Sequence, residues 1–121
     1  MYKVIFYEDK KGNKQVEKFI KDLYAQSRTD KNGKINFNKI VAYFDLLEEL
    51  GTRVGQPITK HLEGEIWELR PLNNRILYAY YKDNTFIMLH QFVKKTQKTP
   101  PKEIEQAKRN LKDYIERNDN I

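Results

Sequence analysis

The sequence predicts an α+β domain with the element order β-α-α-β-β-β-α. Three observations lead to this class: two apolar stripes of helical period lie in the first half, strand-like runs follow them, and one more helical stripe closes the chain. Because helices and strands occur in separate blocks, the strands are expected to form an antiparallel sheet. At 121 residues, we expect residues 1–121 to form a single domain.

The first half is predicted to hold a strand and a helical hairpin. Tyr2–Tyr7 is rich in β-branched and aromatic residues and precedes a polar turn, which is typical of a strand. Two helical stripes follow, separated by a polar loop over 26–34 and closed by Gly51. The stripes consist of Val16, Phe19, Ile20, Leu23 and Tyr24, and then of Phe37, Ile40, Val41, Phe44, Leu47 and Leu50.

The third quarter is predicted to be a three-stranded meander. After an irregular segment over 52–64, the strand-like runs are Ile66–Arg70, Arg75–Tyr81 and Thr85–Val93. The turns between them fall at Asn73-Asn74 and at Asp83-Asn84, because both residue types tolerate left-handed backbone geometry. The last run is apolar at nearly every position, so we expect it in the interior of the sheet.

A third helix is predicted to begin at Thr99-Pro100-Pro101, since proline is tolerated in the first turn. Residues 119–121 are expected to be a frayed tail. The apolar face of this helix consists of Ile104, Ala107, Leu111, Tyr114 and Ile115.

Composition points to a polyanionic partner and removes several kinds of chemistry. The net charge is +6, and no acidic residue occurs from Asn84 to Lys102. The chain has no cysteine, one serine (Ser27) in a polar stretch, and no glycine-rich loop, so disulfides, thiolate sites and serine hydrolysis are not expected. The two histidines lack carboxylates at ligand spacing, so we expect no metal or other cofactor. The short apolar start and the lack of a spanning segment indicate the cytoplasm.

Basic residues stand at the ends of the strand-like runs, and this pattern favours the binding of a phosphate backbone and permits its cutting. RNA can be cut without a metal when its own 2′-hydroxyl attacks the adjacent phosphorus. Arginine suits the extra phosphate charge, lysine can take part in proton transfer, and histidine titrates near neutrality. The candidate catalytic residues are Arg75, Arg70, Lys95, Lys94 and His90, and the candidate RNA-binding residues are Lys98, Lys102, Lys60 and Tyr78.

Each candidate also has a structural explanation. Arg70 can pair with Glu68 on the same strand face, and Arg75 can be an ordinary solvated residue at a strand start. His90 can be a hydrogen-bonded core histidine, and Tyr78 can pack in the core. The lysines that follow the last strand can serve only to block strand addition. His61 is expected to be a surface residue, so that His61→Ala would be neutral.

Three segments resemble the RelE/ParE superfamily of bacterial type II toxins, specifically its phage-derived, Gp49-like branch of HigB-like toxins. The resemblance is carried by residues 60–70 (KHLEGEIWELR), by 74–78 (NRILY) and by 90–100 (HQFVKKTQKTP), and it continues in Pro101, Glu103, Ile104 and Ala107. The element order matches that compact RelE-like fold over essentially the whole chain.

The resemblance implies a toxin that cuts mRNA on the translating ribosome and is neutralised by a HigA-like antitoxin with a helix-turn-helix domain. Operator DNA would be contacted only through that antitoxin. Arg70 and Arg75 match the residues that hold the scissile phosphate, and Lys94 and Lys95 match the basic position after the last strand. On this basis, Arg75→Ala is expected to abolish toxicity most completely, followed by Arg70→Ala and Lys95→Ala.

The chain departs from the family pattern in the last helix. Many relatives carry a tyrosine or histidine near the reacting groups, whereas residues 100–103 read PPKE. His90 or Lys98 would then have to move the proton. Two other functions stay open: a ParE-like inhibitor of DNA gyrase, which shares the fold, and a basic RNA-binding module without catalysis.

Overall fold

The computed structural model of the chain describes residues 1–119 and has the predicted α+β class. The elements are β1 (Lys3–Phe6), α1 (Gln15–Ser27), α2 (Lys31–Leu50), a 3₁₀ turn (Gly51–Val54), β2 (Thr59–Glu63), β3 (Ile66–Leu69), β4 (Asn74–Tyr81), β5 (Thr85–Val93) and α3 (Pro101–Asp119). Among residues 1–119, no helix is both long and apolar enough to cross a membrane.

The sheet has five strands in the order β1-β5-β4-β3-β2, and only the β1–β5 pair is parallel. The prediction that β5 lies inside the sheet is confirmed, since β5 pairs with β1 on one side and β4 on the other. The irregular segment predicted over 52–64 is wrong at its end, where β2 forms the edge of the sheet. An edge strand needs no apolar alternation, and Lys60, His61 and Glu63 are exposed.

The loop predicted over 26–34 is also shorter in the structure, because α1 runs to Ser27 and α2 begins at Lys31. The Asp30 side chain accepts a hydrogen bond from the Asn32 amide and so caps α2. Gly33 lies within the first turn of α2 rather than in a loop. A β-carbon at this position would stand 2.9 Å from Cγ and 3.1 Å from the carbonyl carbon of Gln26, so the close approach of the two helices favours glycine.

The sheet is covered on both faces, and each face has its own core. Helices α1 and α2 cover one face, where Val16, Ile40 and Leu47 pack on Tyr78 and Met88. Helix α3 covers the other face, and its predicted inner side is confirmed: Ala107 and Leu111 are buried, with Ile104, Tyr114 and Ile115 packed against the same cluster.

The ends of the elements differ in part from the prediction. Asp83 and Asn84 both have positive φ, as expected for the β4–β5 turn. In the β3–β4 turn the residue with positive φ is Leu72, and Asn74 already belongs to β4. Asp119, which the sequence assigned to a frayed tail, ends α3, and its carboxylate accepts hydrogen bonds from Tyr81 and Lys82. The rest of that tail, 120–121, lies outside the described residues.

Candidate functional site

The register of the strands places a group of charged side chains on the face that α3 covers. Lys60 pairs with Glu68, and Glu68 pairs with Leu77, so these three side chains share one face of the sheet. Leu77 belongs to the core beneath α3. Arg70 and Arg75 stand two residues from Glu68 and Leu77, respectively, and therefore lie on the same face. The apolar core thus ends where this charged group begins.

Glu68 is at the centre of the group and is only 2% exposed. One carboxylate oxygen, Oε1, lies 3.4 Å from Nε of Arg70 and 3.9 Å from Nε of Arg75. The other, Oε2, accepts a hydrogen bond from the Thr99 hydroxyl. A buried carboxylate is tolerated when charge and hydrogen bonds compensate it, and these partners supply both. The pairing of Arg70 with Glu68 that the sequence left open is therefore present.

Arg75 is turned inward, with 6% of its surface exposed. Its Nη1 donates hydrogen bonds to the carbonyl oxygens of Leu72, at 2.7 Å, and Asn74, at 2.9 Å. Burial lowers the pKa of this guanidinium, and the Glu68 carboxylate opposes that shift. Leu72 has a φ of 58°, which is an unfavourable conformation for a leucine. The hydrogen bonds from Arg75 therefore stabilise a strained turn.

A cleft of about 600 Å³ opens beside Glu68, between the β2–β3 edge and the segment that precedes α3. Arg70 lies in its wall with a side chain that is 24% exposed, and its Nε is buried without a hydrogen-bond partner. The other cations of the wall are Lys60 and Lys98. The remaining wall residues are His61, Leu62, Glu63, Thr96, Gln97, Thr99, Pro100, Pro101 and Ile104.

The other predicted lysines lie outside this cleft. Lys94 and Lys95 line a depression of about 280 Å³ together with Asn73. Lys95 and Lys102 line a second depression, of about 520 Å³, beside the start of α3. The backbone amide of Lys94 donates to the Asn73 carbonyl at 2.7 Å, which fixes the start of this segment to the β3–β4 turn. The lysines that the sequence grouped with Arg70 are therefore divided between the cleft and these two depressions.

His90 is held between two helices. Its Nδ1 lies 3.2 Å from Oε1 of Gln15 in α1, and its Nε2 lies 2.8 Å from Oε1 of Glu103 in α3. It lines a separate depression of about 230 Å³ with Tyr7 and Asn110. With both ring nitrogens engaged and no place in the Arg70 cleft, His90 joins the two helical layers, which corresponds to the structural explanation considered for it.

Tyr78 was an RNA-binding candidate, and this assignment is wrong because none of its surface is exposed. Its hydroxyl lies 2.7 Å from the Thr59 hydroxyl, and burial raises its pKa to about 12. Tyr78 packs beneath α1 and α2, on the face opposite to Glu68.

His61 is exposed, in agreement with the sequence, although it is also one of the residues that border the cleft. It pairs with Trp67, and its ring lies 5.1 Å from the indole ring, so the side chain belongs to the face opposite to Lys60 and Glu68. Its Nε2 lies 2.7 Å from the Gly64 carbonyl and donates to it, since a carbonyl only accepts.

Sequence reasoning missed two residues of the site, Glu68 as its centre and Thr99 as a partner. A signal existed for Glu68, because it is an acid inside the apolar run Ile66–Leu69, and a buried acid requires partners. No comparable signal marks Thr99. Its contact with Glu68 joins positions 31 residues apart in the chain.

Comparison with known proteins identifies the family. A family model described as "Phage derived protein Gp49-like (DUF891)" matches residues 21–112, and the chain belongs to this family. The Gp49-like family is associated with toxins of toxin–antitoxin systems and belongs to the RelE group. No curated protein matches the chain.

Within residues 1–119, no three His, Asp or Glu side chains come together as ligands for a metal ion.

Proposed function

We propose that this member of the Gp49-like family is a HigB-like toxin that cuts mRNA on the translating ribosome. The observation that carries the proposal is the cleft that Arg70, Lys60 and Lys98 line together with the buried carboxylate of Glu68. These three cations outnumber the two acids of the wall, Glu68 and Glu63, and Glu63 also pairs with Lys108, so the wall is net positive and suits a phosphate group. The family's association with toxins supports the same reading.

The chemistry that fits this cleft is internal transesterification of RNA. The 2′-oxygen attacks the adjacent phosphorus, a base takes the 2′-proton, and the bond to the 5′-oxygen breaks as that oxygen receives a proton. The products are a 2′,3′-cyclic phosphate and a 5′-hydroxyl. The enzyme must align the three atoms and stabilise charge on the non-bridging oxygens. We assign the alignment of the nucleotide partly to the ribosome, since the cleft is shallow and open.

The placement of the side chains changes the roles expected from the sequence. We assign contact with the phosphate to Arg70, because its guanidinium lies at the cleft wall and its planar fork can hold two oxygens. We assign an indirect role to Arg75, which does not line the cleft. It holds the β3–β4 turn through the Leu72 carbonyl and pairs with Glu68. Lys98 is the residue that we assign as proton donor to the leaving oxygen. Lys94, Lys95 and Lys102 would contact the mRNA on either side of the cut.

The experiment is controlled expression in bacterial cells, with mapping of RNA 5′ ends. The wild-type chain should arrest growth and create new 5′ ends within translated regions. Arg70→Ala should not, whereas His61→Ala, on the opposite face, should behave as wild type. Growth arrest with intact transcripts and filamentous cells would point to gyrase inhibition instead. Binding of RNA without new ends would leave only an RNA-binding module, and either result would refute the proposed function.

The partner that we propose is a HigA-like helix-turn-helix antitoxin. The acid-free stretch from Asn84 to Lys102 gives an antitoxin with acidic segments a complementary surface, which would speed association. A structure of the co-purified pair tests whether the antitoxin covers Arg70, Lys95 and Lys98. If all three remain open to solvent in that complex, neutralisation occurs by exclusion from the ribosome rather than by blocking of the cleft.

A further inference from the structure

The geometry points to the Glu68–Thr99 contact as a clamp that sets the spacing of the cleft's two cationic walls. Arg70 belongs to the sheet wall and Lys98 to the segment before α3, and the clamp is the hydrogen bond that joins these two parts. Glu68 and Thr99 are thus positioning residues for the phosphate-binding cations. The inference rests on the proposed function for the identity of the phosphate, which is that of RNA.

The first support is the scarcity of other ties. The segment is fixed at its start by the Lys94 amide on the Asn73 carbonyl, and it ends where α3 begins. Thr96 bonds only to the Lys98 carbonyl within the segment. In the described part of the chain, residues 1–119, the Thr99 hydroxyl makes the only side-chain hydrogen bond from 95–99 to the sheet. The position of Lys98 relative to Arg70 therefore depends on this one contact.

The second support is the double engagement of Glu68. One oxygen receives the Thr99 hydroxyl while the other faces Nε of Arg70 at 3.4 Å, so a single buried carboxylate orients both walls. The same negative charge opposes an incoming phosphate, because it offsets part of the arginine charge. Glu68 therefore orders the cleft and also weakens its hold on an anion. These two effects have opposite signs on binding and can be separated by substitution.

Substitutions at two positions, Thr99 and Glu68, separate the ordering effect from the charge effect. Thr99→Val has nearly the same shape as threonine but lacks the hydroxyl, and Thr99→Ser keeps the hydroxyl. Glu68→Gln retains an oxygen that can accept from Thr99 and removes the charge. Thr29→Val, in the exposed connection between α1 and α2, is the matched control for loss of a threonine hydroxyl. All variants are made in the full chain.

Three readouts are needed. Amide hydrogen exchange over 95–99 reports the tie itself, without any RNA. Titration with a short 2′-O-methyl RNA reports phosphate binding, because this RNA lacks the attacking hydroxyl. Cleavage of mRNA on translating ribosomes reports activity.

We expect Thr99→Val to speed exchange and to lower binding and cleavage, each on the order of 10-fold, since one hydrogen bond to a charged group is lost. Thr99→Ser and Thr29→Val should remain close to wild type. Glu68→Gln should bind the oligonucleotide about 3-fold to 10-fold more tightly at low salt, because a repulsive charge is gone. It should also cleave at least about 10-fold more slowly, because Arg70 has lost its charged partner.

The clamp is overturned if Thr99→Val matches Thr99→Ser in exchange and binding, or if a folded Glu68→Gln protein binds the oligonucleotide more weakly. Should Glu68→Gln fail to fold, the threonine pair decides alone. If even the wild type cuts no mRNA, the proposed function fails. In that case, amide hydrogen exchange over 95–99 and binding of the 2′-O-methyl RNA still test the clamp.

Discussion

The α3-covered face of the sheet has two ends with opposite chemistry. At the closed end, Ile66, Ala79 and Ile87 pack beneath α3 and are fully buried. At the open end, two residues further along β3 and four residues back along β4, stand Glu68 and Arg75, together with a cleft that α3 does not fill. On β3 a single strand period thus separates apolar packing from charge pairing. The closed end holds the fold together, and the open end is free to carry a reaction.

Truncation at the closed end should have the largest effect on stability. Ile87→Ala removes a side chain with no exposed surface. The cavity and the lost contacts should lower the free energy of unfolding by about 2–5 kcal/mol. Urea denaturation followed by circular dichroism measures this loss. Cleavage per folded molecule should stay at the wild-type level, and a selective loss of activity in Ile87→Ala would contradict the division between the two ends.

Arg75→Ala should act mainly on stability, although Arg75 stands among the charged residues. The substitution removes hydrogen bonds to two carbonyls and one of the cations beside Glu68. We expect a loss of about 2–3 kcal/mol in the free energy of unfolding, from polar groups left without partners. Urea denaturation measures it. A fully stable Arg75→Ala protein without activity would restore Arg75 as the residue that contacts the phosphate, as the sequence first suggested.

The other face of the sheet offers a pH test. The pKa of Tyr78 is raised from 10.0 to about 12 by burial, so its neutral form is favoured in the folded protein. Stability from this group is complete below pH 10 and is lost as the pH rises towards 12, by about 2–3 kcal/mol in all. Tyr78→Phe lacks this contribution. Its free energy of unfolding should therefore fall less steeply than that of the wild type between pH 10 and 12.

The smallest expected effects concern the lysines beside the cleft. Lys95→Ala removes one exposed cation outside the Arg70 cleft. RNA binding should weaken a few-fold, and the slope of binding against salt should fall by less than about one unit. Titrations of the 2′-O-methyl RNA at several salt concentrations measure both. Equal effects of Lys95→Ala and Arg70→Ala on cleavage would show that the site extends across the segment 94–100.

The sequence predicted those parts of the fold whose apolar pattern has a clear period. The inner face of α3 and the strand β5 belong to this group. Strand β2 was not predicted from the sequence, because its side chains are mostly polar. They are polar because β2 lies at the edge of the sheet, and only the assembled sheet shows that position. The burial of Tyr78 was not predicted, for a different reason. Both faces of β4 are covered, so the sequence shows no alternation from which to read a direction.

The sequence predicted the types of residue in the site better than it predicted their arrangement. The sequence indicated that Arg70, Lys60 and Lys98 were candidates, and the fold brings them to one cleft. It also grouped Lys94, Lys95 and His90 with them, but these residues lie in other depressions. Which depression each lysine lines follows from the path of the segment 94–100 in the assembled fold, where Thr99 contacts Glu68, 31 residues away in the chain.

The most direct test of the proposed toxin is a comparison of purified wild type and Arg70→Ala on translating ribosomes, with His61→Ala as the control from the opposite face. We predict that Arg70→Ala lowers kcat/KM for mRNA cleavage by a factor on the order of 10²–10³, as loss of one preorganised charge contact does. Its urea midpoint should stay close to that of the wild type, and His61→Ala should cleave normally. Cleavage by Arg70→Ala at the wild-type rate, or intact mRNA with the wild type itself, would contradict the account.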